Sequence, residues 1–139
     1  MACLWSLIFA NVGFARCVNP PIEKSATKSD LIFSGTLLKA VAMNNRNRLV
    51  ELTFHANRAW KGYVSATMIV IGVVSPERPP FEQGETYLVY SDGTAHGRPF
   101  LGKCTQTKKL ANAVADLKKL GVGQSLVTAN EPFRDRHQE

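Results

Sequence analysis

The chain has 139 residues, of which 45% are hydrophobic and 20% charged, with a formal net charge of +6. That length holds one domain with a real core. The composition excludes a low-complexity, collagen-like or intrinsically disordered chain, and no repeat at solenoid periods is present.

The first apolar run, "CLWSLIFANVGFA" (Cys3 to Ala15), is short of the roughly 20 residues of a membrane span. It reads as a secretory signal over residues 1–15. Gly13 and Ala15 supply the small residues ahead of a cut. No Lys or Arg precedes the run, which suits a signal whose start lies further upstream. The expected location is therefore secreted or periplasmic. Removing the signal takes away Cys3 and leaves Cys17 and Cys104. Two cysteines in an exported chain of this size suggest one disulfide, with two unpaired buried thiols as the other reading. Closing a loop of roughly 87 residues, it would contribute on the order of 4 kcal/mol in the chain-entropy model and tether the N-terminus.

Pro20 and Pro21 force an extended entry, and residues 22–29 suit one short helical turn. "LIFSGTLLKAV" (31–41) is a strand apolar on both sides, and Gly35 within it marks a bulge or bend. "MNNRNR" (43–48) is a polar turn. In "LVELTFHANRAW" (49–60), Val50, Leu52, Phe54, Ala56 and Trp60 alternate with a polar face. "ATMIVIGVV" (66–74) and "TYLVYS" (86–91) are further strands, "DGTAHG" (92–97) a hairpin turn, and "RPFLGKC" (98–104) a fifth strand. "TKKLANAVADLKKLG" then changes period, predicting an amphipathic helix capped by Thr107 and ended by Gly121, with Leu110, Ala113, Val114, Leu117 and Leu120 on one stripe. Residues 122–139 are polar and read as a mobile tail. The expected fold is mainly β, five short strands closing into a Greek-key barrel and followed by one C-terminal amphipathic α-helix, with a small sandwich as the competing architecture.

Chemistry-bearing motifs are scarce. His55, His96 and His137 are scattered and make no metal-ligand spacing. "SATK" (Ser25 to Lys28) matches Ser-x-x-Lys, but its chain is short and lacks Lys-Thr-Gly. "GKCT" (102–105) has no upstream glycine to make a phosphate loop. Neither cysteine has an evident base beside it. The expectation is a protein that is not an enzyme, with no cofactor and no metal of its own. The basic balance is concentrated in Arg46, Arg48, Arg58, Lys61, Lys103, Lys108 and Lys109, a candidate patch for acidic polysaccharide. Nucleic acid is not expected, because the aromatics sit in core patterns and not among the charges.

Four stretches in this order, "CVNPPIEKSATKSDLIFSG", "VELTFHANRAWKG", "FEQGETYLVYS" and "LGKCTQTKKLANAVADLKKLG", resemble the N-terminal, netrin-like domain of the tissue inhibitors of metalloproteinases, in the short one-domain form found in bacteria. The resemblance covers about Cys17 to Gly121, and its most specific residues include Trp60, Gly62, Gly84 and Tyr87. It implies a barrel of the oligosaccharide/oligonucleotide-binding (OB) type over residues 16–121 and a disulfide between Cys17 and Cys104. In the family the chain begins Cys-x-Cys, and the amino group and carbonyl of the first cysteine chelate the zinc of the target protease. Cys17 matches the second of these cysteines, while Ala15 stands at the first. The scaffold disulfide is thus kept and the chelating cysteine is absent. A cut after Ala15 would make Arg16, Cys17, Val18 and Asn19 the protease-contacting segment. The implied function is an exported protein-binding module and metalloendopeptidase inhibitor; the alternative is a polyanion-binding module using the basic residues. Trp60 is expected in the core or at the barrel end, against Leu110, Val114 and Leu117.

Overall fold

The computed structural model describes residues 20–43, 48–74 and 80–126. The signal segment, Cys17, Arg46 and the end of the tail lie outside them. In chain order the elements are α1 (Ile22–Lys28), β1 (Leu31–Ala42), β2 (Leu49–Lys61), β3 (Thr67–Val73), β4 (Thr86–Ser91), β5 (Thr94–Ala95), β6 (Arg98–Leu101), β7 (Lys108–Lys109), a 3₁₀ turn (Leu110–Asn112), α2 (Val114–Leu120) and β8 (Gln124–Ser125). The protein is mainly β. Its open, mixed sheet runs β5-β6-β3-β2-β1-β4-β7, with β8 added to β2. All pairs are antiparallel except β3 with β6. Five expected strands are present, and three two-residue strands join them.

β4 and the first half of β1, Leu31 to Leu37, read as apolar throughout because they are buried on both faces. Phe33, Leu37, Tyr87 and Val89 join Leu52, Phe54 and Val70 in the main core. The alternate residues Ile32, Leu88 and Tyr90 enter a second core with Ala113, and Ala26, Trp60, Leu110 and Leu120 pack against it. The two helices therefore cover the face that β1 and β4 would otherwise leave wet. In the main core, Phe54 takes edge-on contacts from Phe33 and Tyr87, with ring centroids 5.7 and 6.1 Å away.

Bulges set which residues face each core. Gly35 pairs with Ala56 and Ser34 with Arg58, so Asn57 has no opposite residue. This is the irregularity expected at Gly35, where an added Cβ would lie 3.0 Å from the His55 carbonyl oxygen. The extra residue shifts the phase of β2. Ala59, not Trp60, continues the inward row of Val50, Leu52, Phe54 and Ala56. Trp60 turns to the second core and donates its indole N–H to the Gly121 carbonyl, 2.9 Å away. Leu110 and Leu120 pack against the same core, whereas Val114 and Leu117, also expected beside Trp60, are not part of it.

The C-terminal stretch differs most from its periodicity. The predicted helix from Thr107 is divided into β7, the 3₁₀ turn and α2. Thr107 caps nothing; its hydroxyl accepts from the Tyr90 N–H at 3.0 Å. Ala113 is not helical (φ −106°, ψ 22°) and resets the helical phase. Asp116 consequently faces inward, and Val114 is 60% exposed. Gly121 does end α2, at φ 83°. The tail is not free where it begins: Gln124 and Ser125 pair with Ala59 and Arg58, the Leu126 N–H bonds to the carbonyl that the Asn57 bulge leaves open, and Leu126 is buried. β8 occupies the edge of β2 that β3 leaves after His55.

Gly62 has φ +80°, and a Cβ there would lie 2.6 Å from the Asp30 carbonyl oxygen and 2.9 Å from Leu31 Cδ1. Gly84 has φ +89° with nothing within 4 Å. Gly62→Ala should therefore combine backbone strain of about 1–3 kcal/mol with a clash, while Gly84→Ala meets the strain alone. Urea denaturation of both variants should place Gly62→Ala clearly lower; equal midpoints would refute the close approach at Asp30.

Candidate functional site

Two adjoining clefts, of about 660 Å³ and 370 Å³, share the walls Pro20, Ser25, Thr105 and Gln106. They run between α1 and the strap 102–109 that leads into β7. Pro21 precedes the first turn of α1, its carbonyl accepting from the Lys24 and Ser25 N–H groups at 3.0 and 3.1 Å. That turn points Ser25 at the strap. Among the described residues, the Ser25 hydroxyl is buried and has no hydrogen-bond partner. Such a group costs stability unless a partner arrives.

The strap is held to β4 by hydroxyl groups. Thr105 Oγ1 donates to the Tyr90 carbonyl at 2.7 Å, and the two threonine hydroxyls lie 2.9 Å apart. Behind them, Tyr90 donates its phenolic O–H to Asp116 Oδ2 at 2.7 Å. Lys108 Nζ sits 3.0 Å from both Asp116 oxygens. The buried carboxylate thus has one cationic and one neutral donor, the pairing a buried charge requires. Burial first, and then the hydrogen bond to Asp116, push the Tyr90 phenol far above its ordinary range. Sequence reasoning missed Asp116 because a charged residue inside a helix reads as solvated. The available signal was its i, i+4 relation to Leu120 and its place three residues after Ala113.

The outer wall of the larger cleft is apolar, from Ile22, Pro80 and Phe81. Tyr87, expected as core, is buried between Phe54 and Phe81, and its hydroxyl accepts the Glu82 N–H at 2.7 Å. Gly84 makes the adjacent turn, with its N–H on the Leu37 carbonyl at 2.7 Å. Of the motif residues, Tyr87 lines the larger cleft, while Trp60, Gly62 and Gly84 line neither.

Cys104 stands at the rim of the smaller cleft. The expected contact segment Arg16, Cys17, Val18 and Asn19 lies outside the described residues. The basic residues that are described lie on different elements. Arg48 and Lys61 sit at opposite ends of β2, on the order of 40 Å apart along a strand. Arg58 donates to the Val122 carbonyl, and Lys61 to the Ala26 and Thr27 carbonyls at the end of α1. Lys108 pairs with Asp116, Lys109 with Glu82 and Glu85, and Lys103 also has a partner. The Glu82 hydrogen bond, then its charge, raise the Lys109 pKa. Ser25 and Lys28 do not form a dyad either, since the Lys28 ammonium is directed to Asp92 at 3.8 Å. Among the described residues there is no cluster of three His, Cys, Asp or Glu suited to a metal, and no helix long and apolar enough to cross a membrane.

At neutral pH, Asp116→Ala would leave Lys108 and the Tyr90 hydroxyl without their acceptor, at a cost of about 3 kcal/mol or more. Tyr90 also predicts a pH dependence. Its folded pKa is raised, so its contribution is complete below the unfolded tyrosine value of about 10 and is lost as pH climbs beyond it. Chemical denaturation across that range should show a steeper alkaline loss for the wild type than for Tyr90→Phe. Parallel curves would disprove the buried phenol–carboxylate bond.

Comparison with known proteins finds no matching family model and no matching curated protein.

Proposed function

We infer that the chain is an exported, non-enzymatic binding module of the metalloproteinase-inhibitor type, built on a netrin-like OB barrel. The strand order supports the barrel reading. β6-β3-β2-β1-β4, with β3 and β6 parallel, follows the connectivity of a five-stranded Greek-key barrel. Backbone hydrogen bonds of 3.2 Å from Asp92 to Phe100 and from Phe100 to Gly93 draw the ends of β4 and β6 together, where such a barrel would close.

The observation that carries the functional reading is the placement of Pro20. It borders both clefts, and Cys104 stands on the rim of one of them. A Cys17–Cys104 disulfide would fix the segment ahead of Pro20 along this furrow. Its walls offer what a protein partner uses: apolar Ile22, Pro80 and Phe81, an unpartnered Ser25 hydroxyl, and cations already neutralised at Lys108 and Lys109. That electrostatic balance favours a protein surface over a polyanion, and the partner we propose is a zinc metalloprotease. Held extended by Pro20 and Pro21, Arg16 to Asn19 would enter the protease cleft at little further ordering cost. The α-amino group of Arg16 would supply the nitrogen ligand to the protease zinc.

An amine binds metal only when unprotonated, and α-amino groups titrate near pH ~8. Inhibition should strengthen as pH rises toward that value, and should vanish on acetylation or on adding a residue before Arg16. The test is a panel of zinc proteases assayed with correctly processed and N-terminally extended protein, after sequencing the mature N-terminus. Equal inhibition by both forms would exclude chelation by the amine; inhibition by neither would exclude this function. Non-reducing peptide mapping should link Cys17 to Cys104, and Cys17→Ser should lower stability by roughly 2–5 kcal/mol. Free thiols at both positions would remove the anchor on which the reading depends.

A further inference from the structure

β1 is longer than its second neighbour. It pairs with β4 only from Leu31 to Thr36, and the flanking bonds end at Leu37, which exchanges with Glu85 and Gly84. From Lys39 to Ala42 it pairs with β2 alone. Among the described residues no strand pairs with its other edge, and Leu38, Val41 and Met43 are 47, 42 and 39% exposed. The Met43 N–H bonds to the Leu49 carbonyl on the β2 side. By the alternation of an antiparallel ladder, Ala42 and Ala40 then present their N–H and C=O groups to the open edge. An edge of this kind is normally blunted by proline, charge or a covering loop; here Lys39 is its single charge.

The charges say what fits. Lys39 and Val41 pair with Thr53 and Glu51, so all four side chains share one face. Among the described residues neither Lys39 nor Glu51 makes an ion pair. We propose that the occupant is a second copy of this chain, paired antiparallel through β1 about a two-fold axis at Ala40. In that register Ala40 exchanges both backbone bonds with its twin. Lys39 lies opposite Val41 of the second copy, its methylene stem covering that exposed valine. Glu51 of the second copy is the next residue in the same row, two strands from Lys39 at about 10 Å, within combined reach of the two side chains. Symmetry makes two such pairs. The antiparallel arrangement also sends the two Arg48 residues to opposite ends, so the net positive charge of each chain does not meet at the axis. The two copies form one continuous sheet by an isologous contact.

Sedimentation velocity of the full chain, from low-micromolar to several hundred micromolar, should show a monomer–dimer equilibrium weakened by salt. Ala40→Pro removes an edge-facing N–H without touching the β1–β2 ladder, and should give a monomer of unchanged melting temperature. Lys39→Glu and Glu51→Lys should each raise the dissociation constant about three- to tenfold, and the double variant should restore it. A chain that stays monomeric throughout, or an Ala40→Pro variant that dimerises as the wild type does, would overturn the proposal. Should Ala40→Pro misfold by circular dichroism, the charge-swap series decides: a double variant no tighter than the single ones also overturns it.

Discussion

The end of β2 carries the architecture. Within five residues, Arg58 and Ala59 pair with β1 on one side and β8 on the other, Trp60 bonds the carbonyl that ends α2, Lys61 donates to the carbonyls that end α1, and Gly62 lets the chain pass against Asp30. Both helices and the start of the tail are thus fixed to one strand terminus. The Asn57 bulge is the cause. Without the extra residue, Trp60 would point into the main core and neither helix would have its anchor. A local backbone irregularity decides which face a large aromatic serves, and through it where the second layer sits.

The second layer is not a purely apolar core. Ile32, Leu88 and Ala113 give way at its edge to Tyr90, Asp116 and Lys108, and then to the threonines of the strap. That gradient places the clefts. Apolar packing seals the sheet against α2, while the strap, held by hydroxyl groups, leaves space between itself and α1. A fully satisfied network lies next to one unsatisfied hydroxyl. Among the described residues, Ser25 is thus the one buried side-chain group whose desolvation is not offset by a hydrogen bond.

The long strands, α1, the hairpin at 92–97 and the irregularity at Gly35 were legible because each depends on neighbours in sequence. The burial of Asp116 was not, because its partners Tyr90 and Lys108 come from other elements. The stripe through Val114 failed for a related reason: 3.6-residue periodicity assumes an unbroken helix, and Ala113 breaks it. β7 reads as helix in sequence and becomes strand because β4 offers it an edge. The buried start of the tail had no periodic signal at all; it follows from the carbonyl freed at Asn57. The sequence could not show that Arg48 and Lys61 stand at opposite ends of β2, or that Arg58, Lys61, Lys108 and Lys109 are already engaged by groups of other elements. The clefts themselves were invisible, being assembled from α1, the strap and residues beside Tyr87, none of which announces a concavity.

The parallel pairing of β3 with β6 has a kinetic meaning. Consecutive hairpins can make β1, β2 and β3 early, from local contacts. They cannot by themselves bring β6 to β3, which it meets across the whole β4–β5 segment, or β4 to β1, a pairing that joins Phe33 to Val89. The closure entropy of that long loop must be met before any of its contacts forms. A chain so connected belongs with slow, high contact-order folders, on the millisecond-to-second scale. While it waits, the early three-strand unit exposes its unpaired edges, and the rate of the β1–β4 encounter sets how long that exposure lasts.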